Sequence, residues 1–141
     1  MSLTVISPLP PPHPDTPRLL SIEDLDRHIC RRLSRQQGAL QNEERLQELI
    51  AAALTDIGVV FEREKRFGPS ERVDFWIPAE GIAIEIKRRM AGLAALAQVG
   101  RYLGHPEVKG AVVIAMRFSE TIPMMEGKPI RFISLWKFSV G

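Results

Sequence analysis

Residues 73–87 have the sequence VDFWIPAEGIAIEIK, which predicts two strands joined by a tight turn. Apolar residues recur at every second position on both sides of residues 78–81, as in strands with one face in a core. A turn centred on residues 79–80 would pair Ile77 with Ile82 across the two strands. The stretch therefore predicts an antiparallel hairpin.

The register of this hairpin places Asp74 directly opposite Glu85, where Cβ atoms are about 4.5–5.5 Å apart. Two facing carboxylates repel each other unless a divalent cation binds both. Mg²⁺ prefers oxygen ligands, and the main-chain carbonyl of Ile86 is a candidate third ligand. Lys87 shares the Glu85 face and can orient a water or stabilise charge on a phosphate. These residues predict phosphodiester hydrolysis with Mg²⁺ or Mn²⁺.

The same period of two predicts how the faces of the strands are divided. Val73, Phe75 and Ile77 are expected on one face, and Asp74 and Trp76 on the other. The competing interpretation is a solvated polar sheet face carrying a simple Glu–Lys pair. It is disfavoured because residues 110–116 are apolar throughout, which is typical of a strand covered on both sides. Charges on such a covered sheet are costly without partners.

Apolar periodicity predicts helices and strands on both sides of the hairpin. Helices are expected at 22–36, 42–57 and 91–104, with Asn42 as an N-cap and Gly58 just after the second helix. Further strands are expected at 59–67, 110–116 and 130–138, with an irregular loop at 117–129. The predicted fold class is α/β, with a mixed central β-sheet flanked by helices in the order α-β-β-β-α-β-β. The predicted parts are a proline-rich disordered leader at 1–20, an accessory helix at 21–37 and a catalytic domain at 38–141.

Asp74, ten further residues and then Glu85-Ile86-Lys87 form a pattern that resembles the D…ExK signature of the PD-(D/E)XK nuclease superfamily. The similarity extends over roughly residues 42–138, although Val73 replaces the proline of the motif. The resemblance implies a restriction-endonuclease-like core. It also implies that Asp74 and Glu85 bind Mg²⁺ and that Lys87 assists the nucleophile.

Two further features of that superfamily have candidates in this chain. Many members have a glutamate on the helix before the sheet, and Glu43 and Glu44 compete for this place. Glu43 is preferred as a supporting metal or water ligand because it lies at the edge of the apolar helix face. Gln98 and Tyr102 resemble the QxxxY motif of RecB-type nucleases, and their spacing of four puts them on one helix face. A plain surface hydrogen bond and a half-buried ring are the competing interpretation.

Charge and cysteine content narrow the classes of function. The net charge of +2 permits nucleic-acid binding without arguing for it. The candidate DNA contacts are three basic residues, Arg88, Arg89 and Arg101, together with Tyr102. Cys30 is the only cysteine, which excludes an intrachain disulfide and a four-cysteine metal site. No apolar run reaches the roughly 20 residues of a membrane helix, so a cytoplasmic protein without a membrane partner is expected.

The function predicted from these residues is metal-dependent hydrolysis of DNA, with DNA as the main partner. A non-catalytic nucleic-acid-binding or assembly module on the same fold is the alternative. An interaction protein that works through its N-terminal segment is a third hypothesis. A homodimer, and a protein partner for the N-terminal segment, are both compatible with the sequence.

Overall fold

The computed structural model describes residues 20–36 and 42–139, without the side chains of residues 88–91 and 139. The helices are α1 (Ile22–Ser34), α2 (Glu43–Asp56), α3 (Leu93–Leu103) and α4 (Trp136–Ser139). The strands are β1 (Glu62–Gly68), β2 (Glu71–Ile77), β3 (Ile82–Ala91), β4 (Gly110–Phe118), β5 (Met124–Met125) and β6 (Lys128–Ser134). The predicted leader lies outside the described residues, apart from Leu20.

The strands form one mixed sheet in the order β1-β2-β3-β4-β6-β5. β1, β2 and β3 are antiparallel neighbours, whereas β3, β4 and β6 run parallel. Helix α3 makes the crossover between β3 and β4, as a parallel pair requires. The predicted mixed α/β class with a helix-flanked sheet is thus confirmed.

Helices cover both faces of this sheet, and two apolar clusters result. On one face α1 and α2 pack against β2, β3 and β4, and Leu25, Ile29 and Leu33 of α1 are fully buried there. On the other face α3 packs against the same strands through Val99, Tyr102 and Leu103, among others. Charges on the α3 face of the central strands are therefore shielded from solvent.

Local signals in the sequence explain where the first two helices begin and end. The side chain of Ser21 accepts from the N–H of Asp24, and that of Asn42 accepts from the N–H of Arg45, as N-caps do. Gly58 follows α2 with φ of 77°, and its N–H bonds to the carbonyl of Thr55. This is the left-handed helix end that glycine favours, so the predictions for Asn42 and Gly58 are confirmed.

The C-terminal part differs from the sequence-based prediction. The strand predicted at 130–138 ends at Ser134, and a helical turn follows at Trp136–Ser139. The parallel ladder with β4 ends at the Ala115–Ser134 pair, although β4 itself continues to Phe118. The loop predicted at 117–129 contains β5, which turns back onto β6 through Glu126 and Gly127, both with positive φ.

Within residues 20–36 and 42–139, no helix combines the length and the apolar character needed to cross a membrane.

Candidate active site

The β2–β3 hairpin has the predicted register. Ile77 pairs with Ile82, and the ladder continues to Phe75 opposite Ile84. Gly81 closes the turn with φ of 68°, and its carbonyl accepts from the N–H of Lys109 at 2.6 Å. The regular ladder stops one pair before Asp74 and Glu85.

Asp74 continues the pairing with its side chain instead of its backbone. Its Oδ2 accepts a hydrogen bond of 2.7 Å from the backbone N–H of Ile86. The N–H and C=O of one strand residue point to the same side, so the carbonyl of Ile86 is also directed toward β2. The main-chain oxygen predicted as a metal ligand therefore faces the Asp74 side.

The break in the ladder also changes the face of Val73. Val73 packs with Trp76 in the α3-side cluster, whereas Phe75 and Ile77 pack on the α1–α2 side. The prediction that Val73 shares the face of Phe75 is therefore wrong. Alternation is interrupted at Asp74, and Glu64, which lies opposite it on β1, has φ of 54°.

Glu85 projects from β3 toward α3 and is only 7% exposed. Its Oε2 is buried and has no hydrogen-bond partner among the described residues. Burial, and secondarily the negative charge of Asp74, raises the pKa of Glu85 to about 8, while Lys87 opposes the shift. Two acids thus meet at one shielded point, and without a cation Glu85 retains its proton at neutral pH.

Lys87 begins a chain of hydrogen bonds that ties β3 to α3 and β2. Its Nζ lies 3.7 Å from Oε1 of Glu85 and donates to Oε1 of Gln98 at 2.6 Å. Nε2 of Gln98 donates to the hydroxyl of Tyr102, which in turn donates to the carbonyl of Arg72 at 2.7 Å. Gln98 therefore fixes the direction of the lysine amine.

Tyr102 is 1% exposed, so its ring belongs to the core of the site. Burial and the charge of Glu85 raise the pKa of its hydroxyl, which stays protonated. Its assignment as a nucleic-acid contact does not fit this burial. Arg101, one residue earlier, is exposed, and the side chains of Arg88 and Arg89 lie outside the described part of the chain.

Glu43 is not gathered into the group formed by Asp74 and Glu85. It is exposed and lines a surface cleft with Arg63 and Glu64, and Glu64 lies opposite Asp74 on β1. Within the described ranges, no three His, Cys, Asp or Glu side chains are arranged to hold a metal ion. The role of Glu43 as a supporting metal or water ligand therefore stays a prediction.

The donor set that remains fits a magnesium-like cation. Asp74 and Glu85 would supply two carboxylates, and Oε2 of Glu85 is a buried oxygen without a hydrogen-bond partner among the described residues. Mg²⁺ characteristically uses one or two carboxylates and keeps several waters. The positive charge of Lys87 lies beside this pair, as a site for an anionic substrate needs.

The carbonyl of Arg72 is the participant that sequence analysis missed. It anchors the far end of the hydrogen-bond chain through Tyr102. A main-chain acceptor has no residue signature, so only the three-dimensional arrangement reveals it.

Comparisons of this chain with protein-family models, with curated proteins and with solved structures found no match.

Proposed function

We propose that this protein is a Mg²⁺- or Mn²⁺-dependent deoxyribonuclease with a restriction-endonuclease-like core, in which Asp74 and Glu85 bind the metal. The observation that supports this most is the buried pair itself. Glu85 is 7% exposed, lies beside a second acid and has one oxygen without a partner among the described residues, so its ionisation at this position is costly. A bound divalent cation offsets that cost.

The neighbouring residues suit hydrolysis of a phosphodiester. When bound, the cation polarises the phosphate and lowers the pKa of a water. Lys87, held by Gln98 at 2.6 Å, presents its ammonium group to the phosphate or to the attacking water. Asp74, fixed by the N–H of Ile86, keeps its carboxylate in place before the metal arrives. A cytoplasmic location belongs to the same proposal.

The test is cleavage of supercoiled, linear and branched DNA by the purified full chain with Mg²⁺, with Mn²⁺ and with a chelator. Lys87→Ala is expected to slow cleavage by about a hundredfold or more, which is typical for loss of one transition-state electrostatic contact. The matched control is Lys109→Ala, because Lys109 is exposed at the opposite end of β4.

Full cleavage activity in Lys87→Ala would overturn the proposal. If the protein binds DNA while no metal stimulates cutting, the alternative of a non-catalytic nucleic-acid-binding module on this fold is favoured. One observation favours that alternative: within the described residues, no three His, Cys, Asp or Glu side chains are grouped to hold a metal ion.

A further inference from the structure

A second concave surface runs along β6 from Ile130 to Ser134 and reaches the carboxyl end of β4 at Arg117 and Phe118. It is a cleft of about 760 Å³, which is within the range of ligand sites of roughly 300–1,000 Å³. In open sheets with parallel strands, ligands bind at the carboxyl ends of those strands. β3, β4 and β6 are parallel, so this end of the sheet also carries Lys87.

Aromatic rings and an arginine form one wall of this cleft. The guanidinium carbon of Arg117 lies 3.9 Å from the ring centroid of Trp136, so the two planar groups are stacked. Trp136 is 48% exposed, which is high for so large an apolar side chain. Phe118 and Phe132 also line the cleft and contact each other edge to face at 5.0 Å. The wall thus presents flat, partly exposed surfaces on which another planar group can stack.

The charges at the cleft favour an anion that has polar groups of its own. The charged side chains that line the cleft are two arginines, Arg117 and Arg131, and one carboxylate, Asp26. At the rim, Arg131 forms a salt bridge of 3.2 Å with Glu23. The guanidinium group of Arg117 lies over the indole ring of Trp136. Arginine binds phosphate oxygens and stacks on planar rings, and a carboxylate accepts from exocyclic amino groups of bases.

We infer that this cleft binds an unpaired nucleotide of the nucleic-acid substrate, with its base stacked on the Arg117–Trp136 pair and its phosphate held by arginine. The base must be unstacked from its own strand to reach the indole, so the inference assigns single-stranded DNA, or a duplex with a single-stranded tail, as the preferred substrate form. This inference rests on the proposed nuclease function and deepens it.

The distance between the two sites is compatible with one strand occupying both. Lys87 pairs with Ala115, and Arg117 is two residues further along β4. Standard strand spacings put the Cα atoms of Lys87 and Arg117 about 8 Å apart. Lys87 and Arg117 are therefore close enough for neighbouring nucleotides of one strand to contact both.

The test is fluorescence anisotropy with a short labelled single strand and with a blunt duplex of the same strand annealed to its complement, in a chelator so that nothing is cut. The wild-type protein is expected to bind the single strand more tightly than the blunt duplex. Arg117→Gln and Trp136→Ala are each expected to weaken binding of the single strand by about tenfold, the scale of one base stack. Arg117→Gln should also lower the salt slope by about 0.7, as for one lost phosphate contact on a single strand.

Two controls separate stacking from charge and from misfolding. Trp136→Phe retains an aromatic plane and should restore most of the affinity that Trp136→Ala loses. Lys137→Gln removes a neighbouring positive charge that does not line the cleft, and should leave the preference for the single strand intact. Melting curves of all variants establish that each is folded.

The inference is overturned if Arg117→Gln and Trp136→Ala, both folded, bind the single strand as the wild type does, or if the blunt duplex binds equally well. Metal-dependent cleavage that requires Lys87 but ignores both cleft substitutions would refute the cleft alone. Single-strand binding that depends on Arg117 and Trp136, without cleavage of any DNA, would refute the nuclease and leave the cleft as a binding site.

Discussion

The carboxylate of Asp74 accepts a 2.7 Å hydrogen bond from the backbone N–H of Ile86, at the point where the β2–β3 ladder ends. A side chain thus replaces the carbonyl that would otherwise continue the ladder. The bond holds one acid beside Glu85, which is buried on the same strand as Ile86. The end of the β2–β3 ladder is therefore also the point at which Asp74 is held next to Glu85.

Asp74→Ala should destabilise the protein more than Asp74→Asn. Alanine leaves the N–H of Ile86 without its acceptor, at a cost of about 1–3 kcal/mol, whereas the asparagine carbonyl still accepts. Both variants remove a carboxylate that is proposed to bind the metal, so both should lose metal-dependent activity. Denaturant unfolding without metal compares the two. Equal stabilities would mean that the hydrogen bond to Ile86 contributes nothing.

Without metal, the stability of the wild-type protein should fall relative to Glu85→Gln as the pH rises from about 4.5 to about 8. In this window Glu85 is protonated in the folded state and ionised in the unfolded state, so the folded state binds more protons and raising the pH favours unfolding. Between these two pH values the glutamine variant is expected to gain on the order of 5 kcal/mol in unfolding free energy relative to the wild type, at about 1.4 kcal/mol per pKa unit. Thermal melting in a chelator at a series of pH values measures it.

Glu62→Gln is the matched control for that series, since Glu62 is an exposed glutamate on β1. It should follow the pH dependence of the wild-type protein. If Glu85→Gln also follows the wild-type curve, the pKa of Glu85 is not raised in the folded protein.

Mg²⁺ or Mn²⁺ should raise the melting temperature, and the rise should increase with pH up to about 8. The cation competes with the proton on Glu85, so deprotonation and metal binding are coupled. A cation at a hundred times its dissociation constant stabilises the folded state by about 2.7 kcal/mol. Calorimetry or dye-based melting with and without metal gives the shift.

Two glutamate variants locate the origin of that shift. Glu85→Gln should remove most of it, whereas Glu43→Gln should retain most of it, because no group of three metal-binding side chains within the described residues includes Glu43. A loss of the shift in Glu43→Gln would return that glutamate to the metal site. No shift in the wild-type protein at millimolar metal would contradict the site itself.

Tyr102→Phe should lower both stability and activity without abolishing folding. It removes the bond to the carbonyl of Arg72 and the acceptor for Gln98, at about 1–2 kcal/mol for the stability. Gln98 then holds Lys87 less firmly, so kcat is expected to fall while DNA affinity changes little. Cleavage kinetics and DNA binding, measured side by side, separate the two effects. An equal fall in affinity would mean that Tyr102 acts on DNA binding instead.

Much of this arrangement follows from local rules. The period of two puts Glu85 and Lys87 on one side of β3, and the turn before Gly81 sets the register from Ile77 onward. The spacing of four puts Gln98 and Tyr102 on one side of α3. Because α3 covers the same face of the sheet, both pairs meet, and Lys87 bonds to Gln98.

Other features depend on tertiary contacts that a sequence does not display. Val73 changes face because alternation is interrupted at Asp74, and β6 leaves β4 after Ser134 although β4 continues to Phe118. Glu43 lies at the edge of an apolar helix face and lines a cleft with Arg63 and Glu64. Helical periodicity specifies which side of α2 is buried, and leaves open which polar groups it meets.

The burial of α1 bears on how the chain can be shortened. Leu25, Ile29 and Leu33 are each 0% exposed and share a cluster with Phe75 and Ile84, the last residues of the ladder before Asp74 and Glu85. The sequence predicts α1 as an accessory helix, but a truncated form that starts after it would expose the apolar sheet face that α1 covers. Expression clones meant for enzymology or crystallisation should therefore begin no later than Leu20, whose N–H bonds to Glu80.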